Sequence, residues 1–459
     1  MDYKVEIQKV IDRQVTLPVS KSVAARALII NALVGEAWNE EGGRCPERCD
    51  DIDIMATALK SDGDYINVGA AGTAMRFLTA YFACQDGRIV TLDGSERMRQ
   101  RPIEPLVDAL RQMGASIEYL GNEGFPPLKI AGRKLHGCAL TMRGDVSSQF
   151  VSAILMVAPL AGGITLTIEG NIVSRPYIDM TLAIMRHYGI EACAVGENQI
   201  VVPDGHYVPA PYYIEGDWSA ASYWFALKAL LPQSLIVLSP LFENSLQGDR
   251  AIVEMMEPLG VKAQFKEDGV ITLFCTKSHT PQSLRDSSSI FEEQLRNCIL
   301  GHSSPSKIEG EGGSMKSQVV GCHTPAGLVP TLRHYNRDMA ATPDLVPTLA
   351  VTLCLLRVPF TLTGVATLRI KESDRLEALR EELAKLGYSL DVGDNSLCYN
   401  GNYTEIKDVV TLDPHGDHRM AMALSLAATR HPGITIKNAE VVAKSYPDFW
   451  KHFAGFARN

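Results

Sequence analysis

The sequence lacks the marks of several large protein classes. Lys and Arg number 44 against 53 Asp and Glu, a net charge of −9, so the basic excess that a bulk nucleic-acid or anionic-membrane partner requires is missing. No run reads as a membrane span. The longest charge-free stretch, Phe150 to Ile168, is divided by Pro159 and Gly162-Gly163 into a short helix, a turn and a strand. Met1 to Glu6 alternates charged and apolar residues and lacks the basic head and apolar stretch of a signal peptide, so export is not expected. The 10 cysteines have no framework spacing, which in a chain of this size fits a reducing cytoplasm. Two groups hint weakly at metal ligation, against plain loop and core residues: Cys45 with Cys49, and Cys298, His302, Cys322 and His323.

Common catalytic signatures are missing too. There is no Gly-x-x-x-x-Gly-Lys-Ser/Thr loop, no Gly-x-Gly-x-x-Gly after a strand, no His-Glu-x-x-His and no Gly-x-Ser-x-Gly elbow. Nucleotide hydrolysis, hydride transfer and zinc chemistry lose support. What is present is a globular composition, 46% hydrophobic and 21% charged, over 459 residues, enough for two or three domains.

A degenerate repeat organises the chain. Six small or polar clusters each run into an apolar helix: Ser20-Lys21-Ser22, Gly69 to Thr73, Asp145 to Ser148, Gly216 to Ser219, Thr342-Pro343-Asp344 and Gly416-Asp417-His418. Few charges follow their first turns, so these helices should be buried on most sides. Between them lie amphipathic helices, Leu106 to Met113, Ile178 to Tyr188, Ala251 to Leu259 and Arg375 to Leu386, each stopped by a glycine and followed by an alternating run. Helices and strands alternating about six times predict two similar α/β domains of three units each. The second unit looks abbreviated, because few residues separate Leu59 from Gly69. About 279–335 is rich in Ser, Gly and Pro and reads as a loop-rich surface insertion without chemistry.

Helix N-termini point unpaired N–H groups outward and attract anions. Here they also carry cations: Lys21 and Arg26, Arg76, and Arg419. That runs against the dipole preference for acids and implies something negative nearby. Arg97, Arg99 and Arg101 and the segment Lys371 to Arg375 add to the pattern. Each cation alone also reads as a solvated surface charge, Ser22, Ser147 and Ser148 as ordinary N-caps, and His418 beside Asp417 as a core pair or a catalytic residue. An anion-lined cleft with Asp344 and Glu372 in basic surroundings suits proton transfer on a small polyanionic substrate.

At these segments the sequence resembles the 5-enolpyruvylshikimate-3-phosphate synthase family. The likeness rests on Leu17-Pro-Val-Ser-Lys-Ser-Val-Ala-Ala-Arg26, Gly72-Thr-Ala-Met-Arg76, Arg97-Met-Arg-Gln-Arg-Pro-Ile103 and Val146-Ser-Ser-Gln-Phe150. It continues through Ser174-Arg-Pro-Tyr-Ile-Asp179, Lys371-Glu-Ser-Asp-Arg375, Asp417-His-Arg-Met-Ala421 and Lys444-Ser-Tyr-Pro-Asp448. Any one is weak; their order along nearly the whole chain is specific.

The resemblance implies an α/β fold of two similar domains, each of three βαβαββ units, with the active site in the interdomain cleft. It implies an N-terminal domain over 14–216, mainly binding shikimate 3-phosphate. The C-terminal domain, 1–13 with 217–459, would hold phosphoenolpyruvate and the catalytic carboxylates, the chain crossing near Gln14 and Gly216. The implied reaction moves the enolpyruvyl group of phosphoenolpyruvate to the 5-hydroxyl of shikimate 3-phosphate through a tetrahedral intermediate, with release of phosphate, in a cytoplasmic monomer without metal or organic cofactor. Lys21, Ser22, Arg26, Ser147, Ser148, Ser174, Tyr177, Lys371 and Asp344 are expected to hold shikimate 3-phosphate, and Gln149 to touch both substrates. Gly72, Arg101, Arg375, Arg419 and Lys444, with Lys21, are expected around phosphoenolpyruvate. Asp344 would accept the 5-hydroxyl proton and Glu372 handle the methyl proton, with Lys21 the third catalytic residue.

Three positions depart from the family's habit: Val19 stands for a frequent Gly, and Ala70 and Thr367 for frequent Asn residues. The retained Gly72 implies that glyphosate competes with phosphoenolpyruvate. The nearest rival reading is enolpyruvyl transfer to UDP-N-acetylglucosamine, which normally uses a cysteine in the loop that here reads Ser95 to Arg101 and has none. A noncatalytic binding protein of the same fold is the other.

Overall fold

The computed structural model describes residues 1–8, 10–35, 49–145, 147–275 and 332–454. Helices form where the polar clusters meet apolar runs: Lys21–Val34, Gly72–Ala83, Ser148–Val157, Trp218–Leu230, Val346–Leu355 and His418–Ser425. They are buried on nearly all sides; in Trp218–Leu230 every residue but Ala229 is covered. The amphipathic set is Glu104–Gln112, Arg175–His187, Ile252–Met256 and Arg375–Lys385. Behind these four, Gly114, Gly189, Gly260 and Gly387 take φ between +84° and +96°, a left-handed turn that a Cβ would strain. Strands Ser116–Tyr119, Cys193–Val195, Val261–Phe265 and Tyr388–Val392 follow them.

Four sheets of four strands share one topology. In chain order the first two strands pair parallel, and the second and third each pair antiparallel with the fourth, as in Ala139–Arg143, Ile164–Glu169, Cys193–Val195 and Gln199–Val202. A parallel pair needs a crossover, and the buried helix supplies it, giving the βαβαββ unit. The same plan starts at Tyr65–Asn67 and at Tyr335–Asp338. It recurs where Asp12–Thr16 pairs with Leu235–Ser239.

Two units depart from the plan. Thr411–Leu412 and Thr435–Ile436 pair parallel and are completed by Tyr3–Lys4, so the first strand of the chain closes its last sheet. The unit holding helices Lys21–Val34 and Asp50–Lys60 has no sheet of its own among the described residues. Ser61 to Asp64 leave no length for a hairpin, and Tyr65–Asn67 already pairs with Ile89–Asp93 of the next unit.

Two cores result. One gathers buried residues from Val19 to Ile214. The other takes Val5, Ile11, Val15 and Leu17 together with residues from Trp218 to Phe453. The expected crossing near Gln14 is corrected by this packing: Gln14 lies opposite Val237 in the second lobe's sheet, and Val15 and Leu17 are in its core. The chain crosses at Pro18 and returns at Gly216, where Val19 and Gly216 form a bridge. Most of the insertion expected over about 279–335 lies outside the described residues, as do Cys45, Cys298, His302, Cys322 and His323. Its expected last residue, Tyr335, is instead a buried strand residue opposite Phe360. No helix among the described residues is long and apolar enough to cross a membrane.

Leu155 and Leu353 are both 0% exposed, one in each core. Truncation of either to alanine is expected to cost about 2–5 kcal/mol by urea denaturation. Three of the four tryptophans, Trp218, Trp224 and Trp450, sit in or against the second core, so most of the intrinsic fluorescence should report Leu353→Ala more than Leu155→Ala. Equal shifts would mean that the lobes unfold as one unit.

Candidate functional site

The lobes face each other across a cavity of about 280 Å³. Its second-lobe wall is built on Arg375, the first residue of helix Arg375–Lys385, whose N-terminus is capped by Asp374. The Arg375 side chain is 1% exposed and reaches three carboxylates: Nε to Asp417 Oδ2 at 2.7 Å, Nη1 to Asp344 Oδ1 at 2.9 Å and Nη2 to Glu372 Oε2 at 3.1 Å. Asp417 also caps helix His418–Ser425, accepting from the Arg419 N–H at 2.9 Å. Arg419 then pairs with Asp344 Oδ2 at 3.0 Å, and Lys371 stands 3.7 Å from its other oxygen. Lys444 donates to Glu372 Oε1 at 2.9 Å and to the Ala70 carbonyl at 2.9 Å, tying the lobes together.

Burial pushes the Asp344 carboxyl up, but Arg419, Lys371 and Arg375 overcome this and hold it well below the usual range. Glu372 is held low in the same way, against burial, by Lys444, Arg101 and Arg375. Both are therefore ionised at neutral pH. His418 is 1% exposed and lines the cavity; burial, and then Lys21 and Lys444, keep its imidazole neutral. Its Nδ1 lies 3.7 Å from Asp417 Oδ1, beyond hydrogen bonding, and neither ring nitrogen has a partner among the described residues.

The first-lobe wall supplies cations. Arg26 donates to Thr181 Oγ1 at 2.7 Å, Ser152 Oγ at 3.0 Å, and the carbonyls of Ser22 and Tyr177 at 2.7 and 3.1 Å. Every one of these partners is neutral, and burial pushes its guanidinium down to about 10. Arg76 is buried as well, with its Nε unpartnered among the described residues. Lys21 meets Asp51 at 3.0 Å. Lys21, Arg26, Arg76, Arg101, Lys371, Arg375, Arg419 and Lys444 outnumber Asp51, Asp344, Glu372 and Asp417 two to one. A buried excess of cations is costly until an anion enters, so the cavity is shaped for a polyanion.

Ser22, Ser147, Ser148, Ser174 and Gln149 line the same cavity, as do Tyr177 and Gly72. Ser147 is a cap, accepting from the Gln149 N–H at 3.4 Å. The capping alternative for Ser22 fails, because it is the second residue of its helix. Gln149 donates to Thr73 Oγ1 at 3.0 Å, and the Tyr177 hydroxyl reaches across the lobes to Asp344 at 3.3 Å. A Cβ on Gly72 would lie 2.7 Å from Arg101 Nη1, so only glycine leaves Arg101 in place. Of the site residues expected from sequence, Lys444 alone is absent from the cavity lining, standing behind Glu372 instead.

Sequence reasoning missed Asp51 and left Asp417 without a structural task. Asp51 sits among Asp50 and Asp53 at a helix start and reads as an ordinary dipole acid; only its burial sets it apart. Cys49 is a buried helix cap. Among the described residues only Glu381, Glu382 and His415 have metal-ligand spacing, and Glu382 is occupied by Lys385 and the Asp413 N–H. Replacing Arg375 with Met would leave three buried carboxylates facing one another. The second lobe is expected to lose about 3–5 kcal/mol, read by urea denaturation.

A family model described as EPSP synthase (3-phosphoshikimate 1-carboxyvinyltransferase) matches residues 56–288 and 308–453. A curated 3-phosphoshikimate 1-carboxyvinyltransferase of Bacteroides fragilis is 40% identical over 99% of this chain and 98% of its own. One from Idiomarina loihiensis is 32% identical over 96% of this chain and 95% of its own. Among solved structures, an EPSP synthase from Acinetobacter baumannii superposes with a TM-score of 0.66 at 20% identity, covering 99% of this chain and 98% of that one. The enolpyruvyl transferase NikO from Streptomyces tendae gives 0.64 at 16%, covering 98% and 96%; at such identities the likeness is one of fold. With a family match over most of its length, and two lobes built on one repeated sheet topology, the chain belongs to the EPSP synthase, or 3-phosphoshikimate 1-carboxyvinyltransferase, family.

Proposed function

We propose that the chain transfers the enolpyruvyl group of phosphoenolpyruvate to the 5-hydroxyl of shikimate 3-phosphate, within aromatic biosynthesis, using the residues of this cavity. The observation that carries the reading is the pair Asp344 and Glu372, ionised and bridged by one buried guanidinium in a cavity with surplus cations. The first-lobe residues Lys21, Ser22, Arg26, Ser147, Ser148, Ser174 and Tyr177, with Lys371 and Asp344, hold shikimate 3-phosphate. Lys21, Gly72, Arg101, Arg375, Arg419 and Lys444 surround phosphoenolpyruvate, and Gln149 serves both. Planar forks suit its carboxylate, and Lys or Arg its phosphate.

In the addition step the 5-hydroxyl oxygen bonds to C2 of phosphoenolpyruvate, its proton passes to Asp344, and C3 takes a proton from Glu372 to become a methyl. In the elimination step the methyl returns a proton to Glu372 as the C2–C3 double bond re-forms, the C2–O bond to phosphate breaks with its electron pair going to the phosphate oxygen, and Asp344 passes its proton to the departing phosphate. Asp344 starts in the form that a base requires. Glu372 starts without the proton it must donate, and its low affinity comes from Lys444, Arg101 and Arg375. Anionic phosphoenolpyruvate offsets those same cations, so its binding raises the proton affinity of Glu372. The setting we infer is a cytoplasmic monomer that needs no cofactor.

Purified protein is expected to release phosphate from phosphoenolpyruvate with shikimate 3-phosphate and not with UDP-N-acetylglucosamine; release with the second acceptor alone, or with neither, would overturn the reading. Asp344→Asn and Glu372→Gln are each expected to lower kcat by about 10²–10⁴ while shikimate 3-phosphate still binds in calorimetry. Gly72→Ala should push Arg101 aside and raise the KM for phosphoenolpyruvate about tenfold, with competitive inhibition by glyphosate weakened in parallel. An unchanged KM would remove Gly72 and Arg101 from that subsite.

A further inference from the structure

Asp51 is a buried carboxylate that the substrate contacts proposed above do not use. It belongs to the first turn of helix Asp50–Lys60, where Asp50 and Asp53 are exposed and already serve the helix dipole. Asp51 turns inward, lines the cavity and meets Lys21 Nζ at 3.0 Å, with side-chain exposures of 6% and 11%. A buried carboxylate carries a desolvation cost that helix capping does not require. We propose that Asp51 is a positioning residue for enolpyruvyl transfer, fixing the Lys21 ammonium at the cavity wall where the phosphate of phosphoenolpyruvate docks. This rests on the functional reading above.

The charges around Lys21 support the assignment. Asp51 and the Cys49 thiol face it from the helix start, Glu372 and Arg419 from the second lobe, and Asp217 accepts its backbone N–H at 3.3 Å. Cys49 is pushed up to about 12 by burial and is neutral. Burial, the largest influence, and Arg419 disfavour charge on Lys21; Asp51 is the largest influence in the other direction, and with Glu372 and Cys49 beside it the amine ends above its ordinary value. Without Asp51 the remaining carboxylates are Glu372, already engaged by Lys444 and Arg375, and Asp217, which meets the Lys21 backbone and caps helix Trp218–Leu230. Lys21 then loses its proton at lower pH, and its flexible stem loses its anchor.

The test compares wild type, Asp51→Asn and Asp51→Glu, by turnover and by calorimetric binding of phosphoenolpyruvate, across pH. Asp51→Asn is expected to lower kcat/KM about a hundredfold. The alkaline limb of both profiles should move about one pH unit or more toward neutrality. Asp51→Glu should restore the limb. If Asp51→Asn does not fold, Asp51→Ser carries the same expectation. In a Lys21→Met background, removal of Asp51 should change kcat/KM less than twofold, since its effect runs through Lys21. A limb that stays in place, or a full further loss in that background, would overturn the proposal. Wild-type protein that binds phosphoenolpyruvate with the shifted limb in Asp51→Asn but never turns over would sink the functional reading and leave Asp51 assigned.

Discussion

The cavity depends on one buried guanidinium. Arg375 joins three carboxylates from three separate segments, and those segments are helix starts or the loop before one. A charge so placed is tolerable only if every partner is present. The network therefore fixes the second-lobe wall before any ligand arrives: Asp417 anchors the arginine, and the arginine orients Asp344 and Glu372. The first lobe is built differently. Arg26 and Arg76 are held by neutral atoms, so its half of the cavity is electrostatically incomplete. The asymmetry puts charge-paired carboxylates on one wall and cations without acidic partners on the other.

Much of this was legible in the sequence. A polar cluster running into a charge-poor helix marks a buried helix, and a glycine ending an amphipathic run marks the left-handed turn that Gly114 and Gly387 adopt. Cations repeatedly placed at helix starts marked the anion site, because the dipole alone would favour acids there. What sequence could not show was pairing at long range. Tyr3–Lys4 finds its partner at Thr435–Ile436, and the strand through Gln14 finds Val237, so the lobe boundary lies at Pro18 and not near Gln14, where the family resemblance implied it. Asp51 was hidden for a related reason, since local context cannot separate a solvated acid from one turned inward.

The three departures from family habit touch the structure unequally. Val19 is buried at the crossover and contributes its backbone to the bridge with Gly216. Ala70 offers its carbonyl to Lys444, a main-chain contact that any side chain at this position can supply. Thr367 lines the cavity, which Val19 and Ala70 do not. At Val19 and Ala70 the contact thus runs through backbone.

The interleaving of the two lobes also sets the order in which a growing chain completes itself. Residues 19–214 can collapse as soon as they leave the ribosome, since among the described residues their core draws on none outside that span. The strand Asp12–Thr16, made earlier, waits until Leu235–Ser239 emerges, and Tyr3–Lys4 waits until Thr435–Ile436. The lobe that carries Asp344 and Glu372 is thus the last to be completed, and the half that carries Arg26 and Arg76 has all of its chain while its partner is still being synthesised.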